Sequence, residues 1–334
     1  MVMADTAARP DSAPAVPRVA VVGAGYWGKN LVRNFAELGA LAAVVDPDAA
    51  AVAALTGAHG GRGLDLEAAL ADPEVEAVAI AAPAPLHHRL ARRALEAGKG
   101  VFVEKPVALT LADAEDLVAL AQDKGQPLMV GHLLQYHPVF LALRGLVEQG
   151  ALGRVRYVYS NRLSLGKVRR EEDVLWSFAP HDISMVLSLA GEEPTEVEAW
   201  GADLLGGPIA DTVNVRLVFP SGARGHVFAS WVHPFKEHRL VVVGDDAMAV
   251  FDDTQADWSR KLAVYRQPII MKDGVPVAEK RDPEFVHVEK GEPLKAECAH
   301  FLDCVRTGAT PRTDGAEGLR VLRVLTRASD ALRR

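Results

Sequence analysis

The sequence is poor in cysteine and has no long uninterrupted apolar run. Its 334 residues include only two cysteines, Cys298 and Cys304, without the spacing of a zinc site or a disulfide framework. We therefore expect no metal site and two buried structural thiols. The most apolar stretch, residues 41–55, is broken by Asp46 and Asp48, and no segment reaches the roughly 20 apolar residues of a transmembrane helix. The sequence predicts no membrane span.

Acidic residues outnumber basic ones, with 44 Asp and Glu against 37 Lys and Arg, so the net charge is −7. This balance argues against a nucleic-acid-binding protein and against binding to an anionic membrane surface. Residues 1–17 lack the basic and apolar regions of a secretory signal, so they predict a flexible, solvated tail on a cytoplasmic protein. The remaining composition is that of a globular protein, and the length predicts about two domains.

Residues 18–131 alternate short apolar strands with amphipathic helices. The strand-like runs are residues 18–23, 41–46, 75–82, 100–104 and 127–131. Strands that are apolar on both faces and joined by helices are typical of a parallel sheet covered by helices on both sides. The sequence therefore predicts an α/β fold that begins with a doubly wound Rossmann domain over residues 18–131.

Residues 132–334 have a different texture, because strand-like runs follow one another there without long helices between them. These runs are residues 154–166, 195–204, 212–219, 223–232, 238–244 and 246–252. Such strands usually pair antiparallel, which predicts a second, α+β domain with a large open, mostly antiparallel sheet. One helix is expected to begin near Pro180 inside this half, and two more helices close the chain.

The segment GAGYWG, residues 23–28, lies directly between the first predicted strand and the helix that follows it. In this pattern Gly23 permits a tight turn, Gly25 lets the backbone approach a pyrophosphate, and Gly28 permits close packing of helix on strand. The helix N-terminus supplies N–H groups and partial positive charge for phosphates. We predict a dinucleotide site here; the alternative is a glycine-rich structural turn.

An acidic residue at the end of the second strand completes this pattern. Asp46 follows Gly23 by 23 positions and is suited to accept hydrogen bonds from the adenosine ribose hydroxyls. A 2′-phosphate at the same place would face Asp46 and Asp48 with no basic residue adjacent. The predicted cofactor is therefore NAD rather than NADP.

Four segments together resemble the Gfo/Idh/MocA oxidoreductases. They are GAGYWG, AAPAPLHHRLARRALEAGKGVFVEKP, HDIS at residues 181–184, and GATPRTDGAEGLRVLRVL near the end of the chain. The resemblance covers nearly the whole chain from Arg18, and EKP after the fourth strand is a specific signature. It implies a Rossmann domain followed by a substrate-binding domain whose open sheet supports a homodimer or homotetramer.

The resemblance implies catalytic roles for Lys105 of EKP and His181 of HDIS. Lys105 follows a central strand at its carboxyl end, where open α/β sheets bind their ligands. An imidazole such as that of His181 can take the proton of an alcohol as hydride leaves the same carbon. Many relatives have an aspartate four residues before this histidine, where this chain has Ser177. Which of Lys105 and His181 is the formal base therefore stays open.

The resemblance also implies cofactor contacts beyond the glycines and Asp46. These are expected at Tyr26, Trp27, Pro83, His87 and Glu104. His87 matches a P-x-x-x-H step near the nicotinamide, although a helix-terminal histidine is the alternative. Trp27 is expected near the pyrophosphate, with packing between helix and sheet as its alternative.

Residues 154–170 contain six basic residues and no acidic one. This bias favours an anionic ligand such as a nucleotide diphosphate, and its alternative is a charged, solvated strand edge. The segment SNRLSLGKVRREEDVLWSFAPHD resembles the branch of 3-dehydrogenases that act on UDP-N-acetylglucosamine or its uronate. That branch implies substrate contacts for Asn161, Arg162 and Lys167. Trp176 is expected as a wall of the sugar pocket, with a place in the hydrophobic core as its alternative.

The resulting prediction is NAD-dependent oxidation of the C3 hydroxyl of a UDP-linked amino sugar. The 3-keto product suits a pyridoxal-phosphate (PLP)-dependent aminotransferase as a functional partner. One alternative is a 3-ketoreductase acting on a dTDP-4-keto-deoxy sugar. A second alternative is a regulator that senses dinucleotide without turnover; it is disfavoured because both Lys105 and His181 are retained.

Overall fold

A six-stranded parallel sheet organises the first half of the computed structural model, which describes residues 16–166, 168–170, 172–267 and 269–333. Its strands are β1 (Val19–Val22), β2 (Leu41–Val45), β3 (Arg62–Gly63), β4 (Ala77–Ile80), β5 (Gly100–Glu104) and β6 (Leu128–Gly131). They lie side by side in the order β3-β2-β1-β4-β5-β6. The predicted doubly wound sheet is confirmed, with the two-residue β3 added in a segment expected to be a turn. Residues 1–15, most of the predicted tail, lie outside the described residues.

Helices connect these strands and cover both faces of the sheet. They are α1 (Gly28–Glu37), α2 (Ala49–His59), α3 (Leu66–Ala71), α4 (His87–Glu96) and α5 (Leu111–Lys124). Local sequence fixes several of their ends. The Thr110 side chain accepts a hydrogen bond from the backbone N–H of Asp113, and Gly125 closes α5 in the left-handed conformation.

A larger mixed sheet organises the second half. After α6 (Pro138–Glu148) come β7 (Val155–Leu165), α7 (Val174–Ala190), β8 (Glu196–Ala202), β9 (Thr212–Val218), β10 (Arg224–Ser230), β11 (Val232–Gly244), β12 (Met248–Asp252), β13 (Leu262–Tyr265), β14 (Ile269–Lys272), β15 (Val275–Ala278) and β16 (Glu284–Phe285). Eight of these strands pair in the order β16-β13-β12-β11-β7-β10-β9-β8, and β14 pairs only with β15. All pairs in the large sheet are antiparallel except β7 with β10. The predicted open, mostly antiparallel sheet is confirmed.

Two C-terminal helices, α8 (Pro293–Thr307) and α9 (Gly315–Leu332), hold the two halves together. On α8, Phe301 packs edge-on against Phe35 of α1 and Phe102 of β5, so this helix belongs to the core of the first sheet. Helix α9 packs against α5 on one side and against α7 and β8 on the other. Cys298 and Cys304 are free and buried on α8, which confirms the prediction of structural thiols. Within the described residues, no helix is long and apolar enough to span a membrane.

The prediction that a helix begins near Pro180 is wrong. Helix α7 begins two turns earlier, where the Asp173 side chain accepts a hydrogen bond from the N–H of Trp176 and caps the helix. Pro180 therefore lies inside the helix, where it removes one backbone N–H donor. His181 consequently lies in the middle of a buried helix, rather than at an exposed helix start.

Candidate active site

The glycine-rich loop between β1 and α1 packs tightly at two positions and is open at the third. A Cβ at Gly23, whose φ is +107°, would lie 2.7 Å from the backbone of Ala81. A Cβ at Gly28 would lie 1.8 Å from the carbonyl oxygen of Gly23. A Cβ at Gly25 would meet nothing within 4 Å. Gly23 and Gly28 are thus required by the fold, whereas Gly25 leaves room for a ligand to approach the backbone.

Asp46 follows β2 and faces this loop. Its carboxylate accepts a 2.7 Å hydrogen bond from the N–H of Ala24 and a 2.8 Å bond from the N–H of Asp48. These bonds fix the carboxylate beside the glycine loop and leave lone pairs on both oxygens. Tyr26, at the tip of the loop, is 84% exposed and lies under the Lys29 ammonium. The open loop, the helix N-terminus and the fixed acid fit the diphosphate and ribose of NAD.

Trp27 lies between the glycine loop and the EKP segment. Its indole N–H donates a short hydrogen bond to the Glu104 carboxylate at the end of β5. Burial raises the pKa of Glu104 to about 7, and the indole donor opposes that rise. Trp27 therefore links the glycine-rich loop to Glu104, the residue that precedes Lys105.

His87 is buried and cross-links two loops. Its Nδ1 lies 2.7 Å from the carbonyl oxygen of Pro106, and its Nε2 lies 2.8 Å from that of Ala82. The ring thus joins the loop after β4, which contains Pro83, to the loop after β5. Burial lowers the pKa of His87, and the two carbonyl oxygens oppose that change. With both nitrogens in contact with protein oxygens, His87 is placed to position these loops.

Lys105 reaches from the first half of the molecule to the second. Its Nζ donates a 2.8 Å hydrogen bond to the backbone carbonyl oxygen of Ser177 on α7. Burial lowers the pKa of Lys105; Arg169 and Arg162 lower it further, while Glu172 and Glu104 oppose the change. The fold therefore places the EKP lysine one helical turn before His181.

His181 has a buried nitrogen, Nδ1, that finds no hydrogen-bond partner among the described residues, and the same holds for Oγ of Ser177. Burial lowers the pKa of His181 well below its usual value, and the nearby Lys105, Arg162 and His132 lower it further. A neutral imidazole with a free lone pair is the form that can accept a proton.

Arg162 on β7 is held beside His181 by Asp182, which lies on the same helix as His181. Its guanidinium donates to the Asp182 carboxylate, and the Ser160 hydroxyl donates to the same carboxylate. The two ionic side chains are 13% and 1% exposed, so this ion pair is buried. Asp182 follows directly after His181 in HDIS, but its role as the partner of Arg162 was not predicted.

Of the other predicted substrate contacts, Asn161 does not face this point. Asn161 alternates with Arg162 along β7, so it lies on the opposite face of the sheet, where it donates to Glu237. Trp176 is partly buried against the cores of both halves. Lys167 lies outside the described residues. The roles of these three residues stay predictions.

The folded structure places acidic side chains next to residues 154–170, the basic segment that contains no acidic residue. Arg154 and Arg156 both contact Asp245 in the turn after β11, and Arg169 contacts Glu172. Arg162 contacts Asp182, as described above. At least four of the six basic residues thus contact an acid, which comes from the turn after β11, from α7 or from the residues that follow directly in sequence.

A buried polar chain next to His181 was missed by sequence reasoning. The ring of His132, directly after β6, lies edge-to-face against the ring of His181, with centroids 6.4 Å apart. Its Nδ1 lies 2.5 Å from the carboxylate of Glu317 on α9. That carboxylate also accepts a 2.6 Å bond from the Ser184 hydroxyl, which in turn accepts one from Gln135. The HDIS and C-terminal motifs contain Ser184 and Glu317, but no local pattern pairs His132 with Glu317, because the two residues are 185 positions apart.

Family models match both halves of the chain. A model described as an oxidoreductase family with an NAD-binding Rossmann fold matches residues 17–132. The model of the GFO/IDH/MocA C-terminal domain matches residues 140–250. The residues gathered at the carboxyl edge of the parallel sheet thus lie where these two matched regions meet.

Characterised proteins are similar over nearly the full length of the chain. UDP-N-acetylglucosamine 3-dehydrogenase of Acidithiobacillus ferrooxidans is 30% identical, over 91% of this chain and 94% of that protein. Its solved structure superposes with a TM-score of 0.82, at 28% identity, covering 94% of this chain and 97% of the other. Inositol 2-dehydrogenase of Rhizobium meliloti is 28% identical, over 91% of this chain and 93% of that protein.

Proposed function

The chain belongs to the Gfo/Idh/MocA family of NAD-binding oxidoreductases that act on CH–OH groups, and we propose that it oxidises the C3 hydroxyl of a UDP-linked amino sugar. The substrate is UDP-N-acetylglucosamine or its uronate, and the product is the 3-keto sugar. The observation that carries the proposal is the meeting of Lys105 and His181, which come from different halves of the molecule. A similar relative whose name gives this reaction supports the choice of sugar.

His181 is the proton acceptor in the proposed reaction. Its low pKa keeps the ring neutral at neutral pH, and its buried Nδ1 is free of hydrogen bonds among the described residues. Lys105 holds at least one proton, because its Nζ donates to the Ser177 carbonyl. We assign Lys105 the remaining donors of an ammonium group, directed at the sugar oxygen on which negative charge develops.

The residues around the glycine loop would hold NAD, with Gly25 beside the diphosphate and Asp46 beside the adenosine ribose. Bound there, NAD would supply the acceptor for the hydride that leaves the sugar carbon with two electrons. The hydroxyl proton goes to His181, so the C–H and O–H bonds break and a carbonyl forms. Proton transfer of this kind contributes about 10²–10⁴ in rate, and correct placement of the reacting groups contributes further.

Positive charge at the site suits a diphosphate-linked sugar. Arg162 and Arg169 both lie close enough to Lys105 to lower its pKa. Arg162 is oriented by Asp182 and Ser160, so its guanidinium is held in place before any ligand arrives. We propose that Arg162 contacts the substrate. Asn161, Lys167 and Trp176 stay candidates for further contacts.

The decisive experiment is NADH production by the purified protein with a panel of sugars. The panel holds UDP-N-acetylglucosamine, its uronate, dTDP-glucose and free glucose, each tested with wild type, Lys105→Ala and His181→Ala. We expect turnover of one UDP-sugar, with at least a ~10²-fold loss in each variant. Turnover of free glucose alone, or of dTDP-glucose alone, would contradict the UDP-sugar assignment.

Two further properties belong to the same proposal. The 3-keto product carries a carbonyl of the kind that a PLP-dependent aminotransferase converts to an amine, so we propose such an enzyme as the functional partner.

We also propose a homodimer or homotetramer formed through the open face of the large sheet. Exposed apolar side chains at Trp200, Phe235 and Leu165 on its strands support this face as the contact surface. Sedimentation analysis of wild type and Phe235→Asp tests it, since a mutated contact should shift the protein to a smaller species.

A further inference from the structure

Oxidation of an alcohol at this site would release a proton close to several cationic or titratable groups, which disfavour the protonated form of His181. The base, His181, is surrounded by cationic or titratable groups: Lys105 after β5, Arg162 on β7 and His132 after β6. An imidazolium at this position is therefore unfavourable, and the proton must move on before the next turnover. Ser177 stands one turn before His181, but its hydroxyl bonds to nothing among the described residues, so it provides no path.

A polar path leaves His181 in another direction. The His132 ring packs edge-to-face against it, at a centroid distance of 6.4 Å and an interplanar angle of 81°. The two rings therefore lie close together, and His132 is one of the three charged or titratable groups beside His181. His132 is only 2% exposed, and its Nδ1 lies against the Glu317 carboxylate at 2.5 Å. Because a carboxylate only accepts hydrogen bonds, Nδ1 carries the proton and Nε2 carries the lone pair in neutral His132.

Glu317 connects this path to the surface. Its side chain is 11% exposed and lines a cleft of about 560 Å³. Gln135, Ser184, Arg312 and Arg320 line the same cleft. The Glu317 carboxylate accepts a hydrogen bond from the Ser184 hydroxyl. The backbone N–H of Glu317 donates to the Asp314 carboxylate at the first turn of α9. The cleft lies along α7, one turn beyond His181.

We propose that His132 and Glu317 form a proton relay that carries the substrate proton from His181 to this cleft. His132 accepts the proton on Nε2 while its Nδ1–H passes a proton to Glu317, and Glu317 releases that proton to water in the cleft. No group is oxidised or reduced in these steps, and each residue returns to its starting charge. His132 ends as the Nε2–H tautomer and regains its Nδ1 proton by exchange with water before the next turnover. The relay rests on the proposed function only in taking its proton from an alcohol.

Chemical rescue provides the test. We expect His132→Ala and Glu317→Ala to lose about 10- to 100-fold in kcat, with KM for NAD unchanged. Added imidazole should restore part of the kcat of His132→Ala, and added formate or acetate part of that of Glu317→Ala, each with saturation. A structural defect would not respond to small buffers. Glu148→Gln is the matched control, because Glu148 lines the same cleft but pairs with Arg144.

The isosteric Glu317→Gln covers the case in which an alanine variant does not fold, since its amide oxygen still accepts from Ser184. Full kcat in Glu317→Gln, or a loss that no buffer restores, would overturn the relay. A second measurement needs no substrate: histidine-ring NMR across pH on the free protein, in wild type and His132→Asn. We expect the ring signals of His181 to shift in His132→Asn, because the two rings lie edge-to-face; unchanged His181 signals would also overturn the relay. If no sugar is oxidised by wild type, the proposed function fails while this NMR result still judges the contact.

Discussion

Lys105 and Ser177 join the two halves of the molecule through a 2.8 Å hydrogen bond from the lysine ammonium to the backbone carbonyl oxygen. Ser177 is one turn before His181 on α7, so the same bond brings the lysine of EKP beside the histidine of HDIS. The proposed proton acceptor and the proposed cationic donor thus meet only when both halves are folded together.

Removal of the Lys105 ammonium should abolish chemistry rather than folding. We expect Lys105→Met to lower kcat by at least ~10²-fold while the melting temperature stays close to that of wild type. Lys99→Met is the control, because Lys99 is also buried and donates to the carbonyls of Asp72 and Val75, far from His181. Lys99→Met should cost about 2 kcal/mol of unfolding free energy and leave kcat unchanged. Equal losses of kcat in both variants would contradict a catalytic Lys105.

The low pKa of His181 predicts the pH dependence of oxidation. A base works in its neutral form, so activity falls as pH drops through the pKa of His181, which lies well below 6.5. The logarithm of kcat/KM should therefore stay level across pH 6.5 and fall only at more acidic pH. Lys105 must keep its ammonium protons, and its lowered pKa places the alkaline limb below pH 10.5.

A matched histidine checks this assignment. His226 on β10 is also partly buried with a lowered pKa, but it contacts only Asn214 among the hydrogen-bond partners described. His226→Gln should leave both limbs of the profile in place. An acid limb centred at pH 6.5 or above in wild type would show that His181 is not the neutral base described here.

The two loop glycines, Gly25 and Gly28, should respond differently to the same substitution. Gly28→Ala forces a methyl group to 1.8 Å from the Gly23 carbonyl oxygen, so we expect a loss of about 3 kcal/mol in unfolding free energy. Gly25→Ala meets open space and should leave stability within about 0.5 kcal/mol. Its methyl group would occupy the approach to the diphosphate, so NAD affinity should drop about tenfold or more. Urea unfolding and calorimetric titration with NAD measure the two effects, and unchanged NAD affinity in Gly25→Ala would place the diphosphate elsewhere.

The buried pair of Arg162 and Asp182 should matter far more than an exposed pair in the same sheet. Asp182→Ala leaves the Arg162 guanidinium buried without its acid, which costs about 3–5 kcal/mol. Glu198→Ala breaks the pair with Arg216, whose partners are 56% and 45% exposed, and should cost less than about 1 kcal/mol. Urea denaturation of both variants compares them directly. Similar losses would mean that burial does not govern the Arg162 pair.

Sequence alone determined the parts of this protein that depend on neighbouring residues. The glycine loop is recognisable because its strand, its turn and its helix are consecutive, and Thr110 caps its helix through a residue three positions away. The alternation of apolar strands and helices likewise identified the parallel sheet. Lys105 and His181 were found through motifs whose functional meaning came from the family resemblance.

Only the tertiary structure decided which residues surround His181. The sequence pattern misplaced the start of α7, since a proline is usually read as a helix boundary although Asp173 caps this helix two turns earlier. It read residues 154–170 as an unbalanced basic segment, because the acid in the β11–β12 turn, Asp245, lies about 90 positions away. It gave no sign that His132 meets Glu317. Local patterns record the period and the ends of elements, whereas contacts between distant residues depend on how sheets and helices pack. The charged and titratable groups around His181, which are Lys105, Arg162 and His132, are all contacts of that second kind.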